Sequence, residues 1–91
     1  MKIYQSKLFE KQTKKIHKNE KNKLDVVVKK IIKNPELGKL KKADLKEVRV
    51  YKFKVKVQQY LLAYEIINSD LYLLSFGVHE NFYRDLENFL S

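Results

Sequence analysis

Three lysines stand at every second position, Lys52, Lys54 and Lys56, and a histidine, a tyrosine and an arginine follow one another closely further on, His79, Tyr83 and Arg84. These are the side chains whose types and spacing could do chemistry. Cleavage of RNA without a metal uses the 2′-hydroxyl as nucleophile. It needs a base beside that hydroxyl, an acid beside the departing 5′-oxygen, and cations around the phosphorane-like transition state. The lysine row could cradle the phosphodiester, and the second group could supply acid, tyrosine and cation. No Asp, Glu and His cluster has metal-ligand spacing, and there is no cysteine, so neither a metal cofactor nor a disulfide is expected.

Each residue also has a plainer role open to it. Lysines on a sheet face are commonly only solvated, and His17 is expected to be so. His79 could cap a helix, Tyr83 could join the core beside Phe82, and Arg84 could pair with Glu80 or Glu87. Tyr60 and Tyr64 read as sheet packing.

The elements that must position these groups can be read from the apolar spacing. Residues 51–57, YKFKVKV, alternate without a break, as a strand with one buried and one open face does. Successive lysines would then stand about 6.5–7 Å apart. Strand-like runs over 47–57, 60–67 and 71–76 are separated by Gln58-Gln59 and by Asn68-Ser69-Asp70, and such short reversals imply antiparallel neighbours. Gly77 ends the last run. Phe82, Leu86, Phe89 and Leu90 then fall at helical spacing.

Before the strands, Ile3 and Tyr4 suggest a short first strand, and Ser6 is the N-cap of a helix over 7–18. Asn19 to Asn22 reads as a turn. Leu24, Val27, Val28, Ile31 and Ile32 form the stripe of a second helix that starts near Asn22, with Asp25 in a capping-box position, and stops at Asn34-Pro35. Residues 35–46 read as irregular, pinned by Leu37, Leu40 and Leu45 and carrying Lys39, Lys41 and Lys42. The expected architecture is a single α+β domain over 1–91, in the order β-α-α-β-β-β-α, with the helix hairpin on one face of a small, mostly antiparallel sheet.

The formal charge is +9, and residues 1–46 hold 15 of the 20 basic and 5 of the 11 acidic residues. That bias suggests an anionic partner. No apolar run is long enough to span a membrane, and the N-terminal residues lack the core of a secretory signal, so the cytoplasm is the expected compartment and no membrane partner is expected.

The element order and these motifs resemble the RelE/ParE superfamily of bacterial toxins from type II toxin–antitoxin modules. RelE-type toxins carry a strand Y-K-[IL]-K-[LV]-[RK], a short turn, then Y-R-[LV]-[VI]-Y-[EQ]-[VI]. Here YKFKVKV is followed by YLLAYEI. After the last strand the family has a glycine, an Arg or His, and a tyrosine. Here GVHENFY supplies Gly77, His79 and Tyr83. The resemblance implies a ribosome-dependent endoribonuclease that cuts mRNA in the ribosomal A site and is silenced by an antitoxin. It implies catalytic roles for Lys52, Lys54, His79 and Tyr83, and phosphate binding by Lys56 with Arg49 and Arg84. One position departs. The family's strand arginine, a contact of the scissile phosphate, is replaced by Leu61, which Arg49 or Arg84 would have to make good. The ParE branch shares the fold without the RNase set and poisons DNA gyrase, and an inactive antitoxin-binding relative is the remaining alternative.

Overall fold

Leu61, Leu62, Ala63 and Tyr64 follow one another with no polar residue between them, and all four are fully buried. Neighbouring side chains of a strand point to opposite faces, so this run needs cover on both sides of its sheet. The rest of the architecture supplies that cover. The structure is a computed structural model and describes residues 1–43 and 46–90, the side chains of Lys42, Ala43, Lys46, His79, Glu80 and Phe89 excepted. The expected anchor Leu45 lies outside the described residues. The elements are β1 (Ile3–Gln5), α1 (Lys7–Thr13), α2 (Lys18–Lys33), β2 (Lys39–Ala43), β3 (Lys46–Val55), β4 (Gln58–Ile67), β5 (Asp70–Val78) and α3 (His79–Leu90).

The five strands form one sheet in the order β1-β5-β4-β3-β2. Only β1 runs parallel to its neighbour. The α+β order is the expected one with a strand added, because 39–43 pairs along β3 as an edge strand and is not irregular. On one face α1 and α2 close over Phe53, Leu62, Tyr64, Leu71, Leu73 and Phe76 with Phe9, Leu24, Val27 and Ile31. On the other, α3 presses Phe82 and Leu86 onto Val48, Val50, Leu61, Ala63 and Leu74. In β5, Leu74 is an extra residue, since Ala63 faces Ser75 and Tyr64 faces Leu73.

Ser6 caps α1 as expected, its hydroxyl accepting from the Phe9 N–H at 2.9 Å and donating to the Leu74 carbonyl at 2.7 Å. The first helix is shorter than its charge pattern suggests and the second starts earlier. Thr13 turns its hydroxyl back onto the Phe9 carbonyl at 2.9 Å, which competes with further helix. His17 then becomes the N-cap of α2, exposed as expected, and Glu20 accepts from its N–H at 3.3 Å. The β3–β4 reversal is Lys56-Val57, not Gln58-Gln59, because Val55 pairs with Gln58 and Phe53 with Tyr60. Lys56 therefore leaves the strand row. The β4–β5 turn is Asn68-Ser69, with both residues at positive φ (51° and 68°), the conformation of a tight hairpin turn.

Tyr64 ties the loop after α2 to the sheet. Its hydroxyl donates to the Pro35 carbonyl and accepts from the Gly38 N–H, both at 2.8 Å. A Cβ on residue 38 would lie 2.9 Å from that hydroxyl, so the approach requires glycine. Tyr64→Phe strands the buried Gly38 N–H and removes the part-buried bond to Pro35, and the expected cost is about 1–3 kcal/mol in urea or thermal unfolding. Gly38→Ala is expected to destabilise as well, by pushing the ring away. If both variants unfold at the wild-type midpoint, this tie contributes nothing.

Candidate nucleic-acid interface

Alternation along β3 sends Tyr51, Phe53 and Val55 toward α1 and α2, so Lys52 and Lys54 emerge on the face that carries α3. That face is not open along its length. Val48 and Val50 lie under the α3 cluster, while Lys52 and Lys54, further along the strand, are exposed. The neighbouring edge strand adds to the set. Lys39 pairs with Val50 and Lys41 with Val48, so both lysines share this face. Lys39 is then a diagonal neighbour of Lys52, roughly 7–8 Å away. A cleft of about 280 Å³ forms here, lined by Leu37, Lys39, Lys41, Val50, Tyr51, Lys52 and Tyr83. Tyr83 comes from α3 and meets Phe82 edge to face, with ring centres 5.2 Å apart. Among the described residues no carboxylate lines the cleft, and none of its lysines is held in an ion pair. A cleft with three ammonium groups and a phenol beside an apolar wall can bind phosphate and pack a base or ribose.

Of the residues expected to act, Lys52, Lys54 and Tyr83 are on this face. Lys56 is exposed in the turn beyond Lys54. His79 opens α3, and its side chain lies outside the described residues. Tyr60 pairs with Val78 and Lys54 with Gln59, so the backbone at His79 is two strands from Lys54, on the order of 9.6 Å. Arg84 does not line the cleft; it is 70% exposed, donates to Asn81 at 3.1 Å and lies 3.9 Å from Asp85, while its expected partner Glu80 lies outside the described side chains. Arg49 is not brought to the cleft. It sits on the α2 face and donates to the carbonyls of Gly38 at 2.9 Å and Glu36 at 3.4 Å, so it holds the loop before β2. Leu61 is fully buried beneath α3, and an arginine there would have to displace the Phe82 cluster.

Lys39 and Lys41 were the members hidden in the sequence. Their two-residue spacing was a signal, but KLKKA lacks the β-branched and aromatic residues that mark strands. A larger cavity of about 540 Å³ lies on the opposite face, between α1, α2 and β1. Its walls include Phe9, Ile16, Leu24 and Val28, and its rim mixes Glu10 and Asp25 with Lys14 and Lys21, so no single charge or reactive group converges there. Among the described residues no three His, Asp or Glu converge as metal ligands, and no helix is long and apolar enough to cross a membrane.

Residues 3–87 match the family model of the ParE-like toxin of type II bacterial toxin–antitoxin systems, and the chain belongs to that family, within the RelE/ParE superfamily. Two solved structures share its fold. In the intact E. coli RelBE toxin–antitoxin complex the matching chain is 18% identical, with a TM-score of 0.68 over 87% of this chain and 96% of that one. The isolated E. coli RelE toxin is 20% identical, with a TM-score of 0.67 over 87% of this chain and 84% of that one. No curated protein matches in sequence.

Tyr60 and Tyr64, read as packing residues, are that. Tyr60 lies flat against Phe76 with ring centres 5.2 Å apart and donates to Glu20 at 2.6 Å, which locks β4 to the first turn of α2. Burial, then the hydrogen bond to the Glu20 carboxylate and its charge, push the Tyr60 phenol up to about 12 from its usual 10.0. The folded state therefore holds this proton more tightly than the unfolded chain. The contribution is complete below pH 10 and is lost as pH rises from 10 toward 12. Tyr60→Phe should flatten the fall in stability over that window, measured by urea unfolding at fixed pH values. An unchanged alkaline slope would mean that the Glu20 contact does not persist in solution.

Proposed function

We propose that this toxin inhibits translation as a ribosome-dependent mRNA endoribonuclease that needs no metal, and that an antitoxin silences it. The observation that carries this reading is the convergence of Lys39, Lys41, Lys52 and Tyr83 on one cleft, with Lys54 one step along the strand. The reading gives Lys52 or Lys54 the place beside the 2′-hydroxyl and His79 that of the general acid. The 2′-oxygen attacks phosphorus and gives up its proton to the amine of Lys52 or Lys54. The bond to the 5′-oxygen breaks, His79 protonates that oxygen, and a cyclic phosphate remains on the upstream fragment. Tyr83 packs against a base or ribose. Lys39 and Lys41 supply the charge beside phosphate that Leu61 does not, in place of Arg49, and Lys56 and Arg84 contact the flanking backbone. Ribosomes and mRNA place the activity in the cytoplasm. The antitoxin would cover the same cations with an acidic segment that orders on binding.

A second reading, inhibition of DNA gyrase, is favoured by the ParE-like family and by Leu61 lying under Phe82 where RelE-type toxins carry arginine. Pulse-labelling after induction separates the two. Protein synthesis is expected to fall first, with reporter mRNA cut within codons by primer extension. Early loss of DNA synthesis with intact mRNA would replace the RNase reading by the gyrase one. On programmed ribosomes, His79→Ala should slow single-turnover cleavage by about 10²–10⁴-fold with little change in ribosome binding. Lys52→Ala and Lys54→Ala should weaken both. Cleavage by His79→Ala at the wild-type rate would move the acid to another residue.

A further inference from the structure

The β3–β4 hairpin ends in the two-residue turn Lys56-Val57, closed by the pair of Val55 and Gln58. Such turns favour glycine, asparagine or aspartate, because their first central residue takes positive φ. Lys56 takes it, at φ 57°. The neighbouring hairpin meets the same demand with Asn68, a residue suited to it. Next to Lys56, Val57 is 95% exposed, the most exposed of the large apolar side chains described. A lone exposed valine is ordinary. A lysine in a left-handed turn followed by an unburied valine is not what the fold alone would select. Glycine and a polar residue would make the same turn with less strain and no apolar exposure. Lys54 stands exposed two residues before, on the strand that carries Lys52 into the cleft. The tip therefore places a further exposed cation, Lys56, beyond the end of the sheet.

We infer that the Lys56-Val57 tip is a second RNA contact, in which Lys56 with Lys54 takes a phosphate and Val57 packs against an unstacked base or ribose. This rests on the reading of the β2–β3 face as RNA-binding. RNA fits better than an acidic protein because two exposed cations adjoin a single apolar side chain, as phosphates adjoin a base, and that apolar element is a wedge and not a patch.

The test pairs melting curves with anisotropy titrations of a labelled single-stranded 20-nucleotide RNA at several salt concentrations. Lys56→Gly should raise the melting temperature by about 2–8 °C by relieving the turn. It should also weaken RNA binding by about threefold to tenfold and reduce the salt slope by about 0.7, the loss of one phosphate contact. Val57→Ser should leave melting unchanged and weaken binding about threefold with the wild-type salt slope, because it removes only apolar contact. Wild-type affinity in both variants, while Lys39→Ala and Lys52→Ala weaken binding, overturns the tip contact and leaves the cleft standing. A wild type that binds no RNA overturns both. Weakened binding by the tip variants in a protein that never cuts RNA supports the tip and removes the RNase reading. Loss of binding to a poly-glutamate peptide with RNA affinity intact overturns the inference in favour of a protein partner. A lower melting temperature for Lys56→Gly overturns the strain argument.

Discussion

Everything else in this molecule depends on the double burial of β4. Its four consecutive apolar residues face two directions, and each fully buried side chain of this kind contributes about 1.5–3 kcal/mol only if a helix covers it. One face receives α1 and α2, and the other must receive α3. Phe82 and Leu86 then have to lie over Leu61, Ala63, Val48 and Val50. This occupies the middle of the second face and confines any open cationic surface to the wing formed by β2 and the far half of β3. Leu61 belongs to the same constraint. In this protein that position serves the core beneath α3, and the exposed lysines of this face lie on the wing.

The wing is itself held by polar ties from the other face. Arg49, one residue from Val50, passes through to the α2 side and donates to the loop carbonyls of Glu36 and Gly38. Tyr64 holds the same loop at Pro35 and Gly38. These bonds set where β2 begins, and its register then decides that Lys39 and Lys41 face the cleft while Leu40 pairs with Arg49 on the other side. An arginine that reads as a phosphate ligand in the sequence thus acts on the site indirectly, by placing lysines that do not stand out there.

The parts of the fold legible in the sequence are those governed by strong periodicity. Leu24, Val27 and Ile31 are buried as the helical stripe required, and YKFKVKV divides its residues between two faces. Boundaries were less legible, because several local signals compete. Asn22 with Asp25 reads as the helix start, yet α2 starts from the N-cap His17 with Glu20, where Glu20 also receives Tyr60. Lys56-Val57 and Gln58-Gln59 are equally poor turn formers, and the pairing of Phe53 with Tyr60 breaks the tie. The unbroken run Leu61–Tyr64 signals a second buried face, whereas the alternating lysines signal an open one, and along β3 the face is open only in its far half. Part of the site followed from alternation alone. Lys39 and Lys41 did not, because an edge strand of this composition exists through its neighbour's hydrogen bonds and not through its own propensity.

The central proposal is RNA binding by one face of the β2–β3 wing. It is tested most directly by titrating the 15N-labelled protein with a short single-stranded RNA and mapping the shifted amide resonances. The shifts are expected to concentrate on Lys39, Lys41, Lys52, Lys54 and Tyr83 and to fade as salt rises, while α1 and α2 stay silent. Shifts centred on the groove around Phe9, Leu24 and Val28, with the wing unmoved, would contradict it.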